Sequence, residues 1–247
     1  MLIMRSVRLI LLLTVVLTIS GFDIMAQFTQ LNYVDIGNNY VQNRVYFEAA
    51  SSSAIQVENI GVDAGILFTT SFADNSLKSL FAGVHYDFTL WKRPLRLDVM
   101  YLHGFVTDYV KEMQAAIWLS YRKNRFQLKL GNNTRVYGLT RLGKTQTGEH
   151  GSSTERLTEP RNLMYQFSFF LKPELSRWNL SINLLNFDYF LIQQETNPMI
   201  SLRFTYWTRN DISLFSDLWY RSAGFANIRV NYFGFFVRSG LKWSIDL

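Results

Sequence analysis

The sequence predicts an all-β fold, a transmembrane antiparallel up-and-down β-barrel of about twelve strands. Three observations point there. From residue 40 onward apolar and polar side chains alternate with period 2 over runs of about ten residues, longer than the usual globular strand of about 5–6. The chain holds 20 Phe, 13 Tyr and 6 Trp, yet its mean hydropathy is only +0.01, far too low for a bundle of membrane helices. Tight turns and longer connections alternate along it, as they do when short turns gather at one rim of a membrane barrel and long loops at the other.

The first element is not a strand. Arg5 and Arg8 precede the apolar run Leu9–Ile19, which gives way to Ser20, Gly21 and later Ala26. That is the pattern of a secretory signal peptide, and a membrane anchor would need roughly 20 apolar residues. The expected division is a signal peptide over 1–26 and a barrel over 27–247. No later stretch is long and apolar enough for a membrane helix, so insertion has to be by strands. The formal charge of +6 falls by one on losing Arg5, Arg8 and Asp23, and the remaining cations are scattered, which argues against nucleic acid as a partner. With no cysteine, structural disulfides, thiolate metal sites and a lipidated N-terminal Cys are excluded.

The strands follow in order. An upward strand is expected within Gln27–Ile36, because the segment near Arg44–Ala50 must run downward if the short turns and the C-terminus share one rim. In Ser79–Trp91 the row Leu80, Ala82, Val84, Tyr86, Phe88, Leu90 opposes Ser79, Phe81, Gly83, His85, Asp87, Thr89. A turn at Lys92–Pro94 leads to Leu95, Leu97, Val99, Tyr101 against Arg96, Asp98, Met100, Leu102, which completes a hairpin. Ala115, Ile117, Leu119 and Tyr121 come next, then a turn at Lys123–Asn124, then Phe126, Leu128 and Leu130. The longest loop, Gly143–Arg161, has no aromatic residue and is expected to be extracellular. Leu163 to Leu171, Leu180 to Leu184, Ile200 to Tyr206 and Ile212 to Leu218 continue the alternation. Eleven such segments follow from Arg44, and the even strand number of single-chain barrels supplies a twelfth, with ten or fourteen also compatible.

Charge decides which face is inside. Arg or Lys turned to lipid costs about 2–4 kcal/mol each near the midplane, so the polar rows must line the lumen if lipid lies outside. A soluble barrel of about twelve strands would instead enclose a space too wide for an apolar filling. The lumen-lining candidates are Arg96, Asp98, Arg122, Lys129, Arg203, Asp217, Arg221 and Arg238, joined by Arg44, Glu48, Asp63, Asp87 and Lys242. Phe81, Trp118, Phe170, Trp207, Phe215 and Trp219 crowd the same rows, which points to a lumen filled by side chains and ion pairs; a narrow, anion-preferring pore is the alternative. Tyr101, Tyr121, Trp178, Tyr206 and Tyr220 near strand ends suit interfacial girdles.

Phe235, Val237, Leu241, Trp243, Ile245 and Leu247 alternate with Arg238, Lys242 and Asp246, and this resembles the C-terminal insertion signal of bacterial outer-membrane proteins, with Leu247 in place of the usual final aromatic. Together with a signal segment ending in Ala26-Gln27, the chain resembles small outer-membrane barrels of the Bacteroidota type. His85 and His103 fall in opposite rows and cannot share a metal. His150-Gly151-Ser152 with Asn162 resembles the His, Ser and Asn set of outer-membrane phospholipase A, but lies in a Gly- and Ser-rich loop that cannot hold a catalytic pair rigidly. The expected role is therefore a non-enzymatic structural or accessory subunit of an envelope assembly, with no catalytic residue, metal or cofactor. Its expected partners are outer-membrane lipid, lipopolysaccharide and other outer-membrane or periplasmic proteins. A narrow diffusion channel and a lipid hydrolase are the alternatives.

Overall fold

The computed structural model describes residues 26–39, 44–70, 76–105, 107–147, 157–171, 177–187, 198–209, 211–221 and 234–247. Twelve strands make up almost all of it: β1 Ala26–Asn39, β2 Arg44–Val57, β3 Ile60–Thr69, β4 Leu77–Leu90, β5 Arg93–Phe105, β6 Val110–Lys123, β7 Phe126–Leu139, β8 Leu157–Phe170, β9 Trp178–Leu185, β10 Met199–Trp207, β11 Ile212–Arg221 and β12 Gly234–Asp246. Each pairs antiparallel with its neighbours in sequence, and β1 pairs with β12 from Gln27 opposite Asp246 to Gly37 opposite Phe236, so the sheet closes. Closure gives every strand two neighbours. The ends meet at the short-turn rim, where the Leu247 amide donates to the Ala26 carbonyl at 2.7 Å.

The rows separate as the alternation predicts. In β4, Ser79, Phe81, Gly83 and His85 are buried while Leu80, Ala82, Val84 and Tyr86 are exposed. The same parity runs through β6, where Gln114, Ala116, Trp118 and Ser120 are buried and Ala115, Ile117 and Leu119 face out.

Three local expectations change. The β4–β5 turn is Trp91-Lys92, not Lys92–Pro94, and the β6–β7 turn is Asn124-Arg125, not Lys123-Asn124. A two-residue hairpin that follows the twist of its strands needs left-handed backbone; Trp91, Lys92 and Asn124 have φ of 50°, 62° and 50°, whereas the ring of Pro94 fixes φ near −65° and confines it to β5. The loop expected over 143–161 is also narrower. A short helix, α1 (Arg141–Thr147), takes its start and β8 begins at Leu157, while 148–156 lie outside the described residues. The expected signal segment lies outside them as well, apart from Ala26 at the start of β1.

Large inward side chains sit opposite glycine. Phe81 pairs with Gly65, Trp118 with Gly131, Phe215 with Gly240 and Phe236 with Gly37. A Cβ at Gly131 would lie 2.8 Å from the Trp118 Cα, and one at Gly65 would lie 2.5 Å from the Phe81 Cζ, so each ring lies over a neighbour that has no side chain. Gly131→Val should therefore lower unfolding stability by about 1–3 kcal/mol through overpacking. Gly138→Ala, whose new methyl meets only the Lys111 Cε at 3.7 Å, should change it by less than about 0.5 kcal/mol. Denaturant titration of both variants in one detergent checks the contrast.

Candidate functional site

The interior divides into two halves. Toward the long connections, Tyr33, Leu67, Phe81, Met100, Leu102, Trp118 and Met164 form a buried apolar cluster across the barrel, reached also by Phe187, whose ring lies 5.9 Å from that of Trp118. A second cluster joins Leu185, Met199, Trp219 and Phe236, the last two stacked at 5.2 Å with Tyr46 packed beside them. Toward the short turns there is a cavity of about 1190 Å³ with polar walls, among them Gln27, Gln56, Asp87, Arg96, Gln127 and Lys242. Leu185, Phe215 and Trp219 contribute to both the cavity lining and the apolar clusters.

An ion-pair ladder runs between these halves. Along one register line, Glu48 on β2, Asp35 on β1, Arg238 on β12, Asp217 on β11 and Arg203 on β10 stand side by side. Arg238 donates Nε and Nη2 to the two Asp35 carboxylate oxygens at 2.7 and 2.8 Å, and Arg203 grips Asp217 the same way at 2.6 Å for both bonds. Lys78 pairs with Glu48. The Arg238 guanidinium also lies 4.1 Å from the Tyr33 ring centre and 5.4 Å from that of Trp219, while Arg203 lies 5.0 Å from Phe215. Two planar forks on carboxylates, backed by ring faces, form the geometry in which a buried charge is best compensated.

Seven of the eight sequence-picked lumen residues are inward in the described structure. Arg96 makes two 2.7 Å bonds to Asp87, which also accepts from Gln56 at 2.8 Å. Ser120 donates to the buried Asp98 at 3.4 Å, Arg122 lies 4.8 Å over the Phe170 ring, and Lys129 lines the cavity. Arg203, Asp217 and Arg238 belong to the ladder. Arg221 ends β11, and its side chain lies outside the described residues. Sequence reasoning missed Asp35, Lys78 and Glu112. Asp35 was legible only through the parity of β1, where polar Gln30 and Asn32 interrupt the other row.

His85 is buried in the lumen within 3.2 Å of Gln56, and His103 stands on the outer wall against Phe105, so the two face opposite ways as the rows require. His150 and Ser152 lie outside the described residues, and Asn162 is placed only by its backbone, opposite Asn133.

No family model matches the chain, and no curated protein does. Solved structures do. The KdgM porin, in a complex with disordered oligogalacturonate, is 7% identical over 88% of this chain and 99% of its own, with a TM-score of 0.51. The outer-membrane protein Omp33 of Acinetobacter baumannii is 8% identical over 91% and 100% at 0.46, and the outer membrane phospholipase A of Escherichia coli is 9% identical over 86% and 95% at 0.44. The likeness to KdgM is one of fold: the chain has the closed antiparallel architecture found in outer-membrane barrels of the porin type.

The ladder yields a stability test. Asp35→Asn removes the bidentate partner of a buried guanidinium and should cost about 3–5 kcal/mol, whereas Asp35→Leu combined with Arg238→Met should recover most of that loss. Equilibrium unfolding of the two variants checks the contrast.

Proposed function

We propose that this chain is an integral outer-membrane barrel whose lumen is blocked, acting as a structural or accessory subunit of an envelope protein assembly. Support for the membrane setting comes from the outer wall. Val62, Val84, Val99, Ile117, Leu130, Ile182, Leu202 and Leu218 are exposed along mid-strand positions, and the outward cations of β6, Lys111 and Lys123, fall at its ends. An apolar belt of that extent in water would be an unprotected aggregation surface; against hydrocarbon it is the stabilising face.

The blocked lumen rests on one observation, the apolar filling of the long-loop half. The cavity from the short-turn rim runs inward to Leu185, Trp219 and Arg238, and above them the cross-section holds aromatic and methionine side chains in mutual contact. An ion crossing there would shed water against Phe81, Met100 and Trp118, apolar side chains that cannot replace it. A protein that exposes an anchored wall and loops but passes no solute contributes surface rather than flux.

A narrow, anion-preferring channel is the second reading, favoured by the basic lining of the cavity, where Arg96, Arg122, Lys129, Arg203 and Lys242 converge. Planar-bilayer recording separates the two. The blocked reading expects no stable conductance steps from the wild type and new steps from a Phe81→Ala, Trp118→Ala double variant. Uniform anion-selective steps from the wild type would replace it with the channel.

A further inference from the structure

The outer wall carries a polar patch in its middle. On β1 and β2 the outward row sets Phe28, Gln30, Asn32 and Val34 opposite Ile55, Ser53, Ser51 and Ala49. Across the closing seam Val34 stands opposite Ser239 on β12, which in turn faces Ser216 on β11, the two hydroxyls 3.1 Å apart. Parity fixes the direction of these side chains: Tyr33 and Asp35 are buried in the lumen, while Val34 and Ile36 are exposed. Four adjacent strands thus present Gln30, Asn32, Ser51, Ser53, Ser216 and Ser239 outward, all neutral, midway along their lengths.

Part of this patch is satisfied internally. Gln30 donates to Ser51 at 2.9 Å and to Asn32 at 3.2 Å, and Ser53 donates to Gln30 at 2.5 Å. The Asn32 carbonyl oxygen is therefore used, but its amide nitrogen has no acceptor among the described residues. Lipid chains cannot supply one, and a primary amide facing hydrocarbon without an acceptor is unfavourable by roughly 2 kcal/mol or more. The patch is also flat. Ala49, Ser51, Ser53, Ala64, Ser216 and Ser239 are small, which lets a second backbone approach closely. Small side chains together with neutral hydrogen-bonding groups are the two features that drive association within membranes.

We propose that this face, centred on the β1–β2 pair, is the interface of a symmetric dimer of the chain. The inference rests on the reading that the outer wall meets lipid. A second copy is the occupant that the chemistry fits: amide and hydroxyl groups each carry donor and acceptor, and a two-fold axis between β1 and β2 brings the β1 amides of one copy opposite the β2 hydroxyls of the other. Neither a charged partner nor an acyl chain offers that match. Flanking Phe28, Val34, Ile55 and Trp243 supply the apolar margin.

Because the chain has no cysteine, one introduced thiol reports its own neighbourhood. In phosphatidylcholine vesicles, Ser51→Cys and Asn32→Cys should give disulfide-linked dimers on mild oxidation, and Ile117→Cys, on β6 across the barrel, should stay monomeric. In dilution of fluorescently labelled protein, Gln30→Leu with Asn32→Leu should weaken self-association about three- to tenfold. Equal cross-linking at residues 51 and 117, or none at 51 and 32 in vesicle-inserted protein, overturns the dimer and leaves the membrane reading intact. A chain that does not partition into the vesicles overturns both.

Discussion

A closed ladder of inter-strand hydrogen bonds governs the rest of this structure. Once β1 and β12 pair, every residue of the twelve strands faces either the lumen or the outside, and parity alone decides which. The sequence obeys that rule with its charges. Asp35, Glu48, Asp63, Asp98, Asp217 and Arg238 are all buried on the inner face, while valine, leucine, isoleucine and aromatic residues make up most of the outer wall. A slip of one residue would turn a strand's charges outward, so the same alternation that encodes the fold also protects its register.

Twelve strands enclose more space than ordinary side chains fill, and the chain meets this in two ways. In one half, rings and methionines lie over glycines on the adjacent strand, so that Phe81, Trp118 and Phe215 extend across the barrel instead of clashing with its wall. In the other half a cavity remains, and its polar walls hold their charges in forks such as Arg96 with Asp87. Arg203 and Arg238 sit where the two regimes meet, each held by a carboxylate on a neighbouring strand and by an aromatic face. The asymmetry gives the barrel one polar mouth and one apolar floor.

Much of this was legible in sequence because a strand that separates two media must alternate. β4, β5, β6 and β10 follow the rule almost residue by residue, and their inward aromatics could be picked before the fold was known. β1 could not be read that way. Gln30 and Asn32 on its outer face and Leu31 and Tyr33 on its inner face blur the two rows, and Asp35 was lost with them. The turns moved by a residue because left-handed backbone at Trp91 and Lys92 leaves no compositional signature such as glycine. Pairing Phe81 with Gly65 or Trp118 with Gly131 needs the register between strands, which no single strand's pattern contains.

The whole account stands on the direction of two sets of side chains relative to lipid, and tryptophan reports that direction without perturbing it. Trp243 lies in the outer row against Phe28, and Trp118 lies buried in the lumen. Two single-tryptophan variants, one keeping each, can be reconstituted in vesicles whose acyl chains carry bromine. The account predicts strong quenching of Trp243 and little quenching of Trp118; quenching of Trp118 by the brominated chains, with Trp243 open to aqueous iodide, would contradict it.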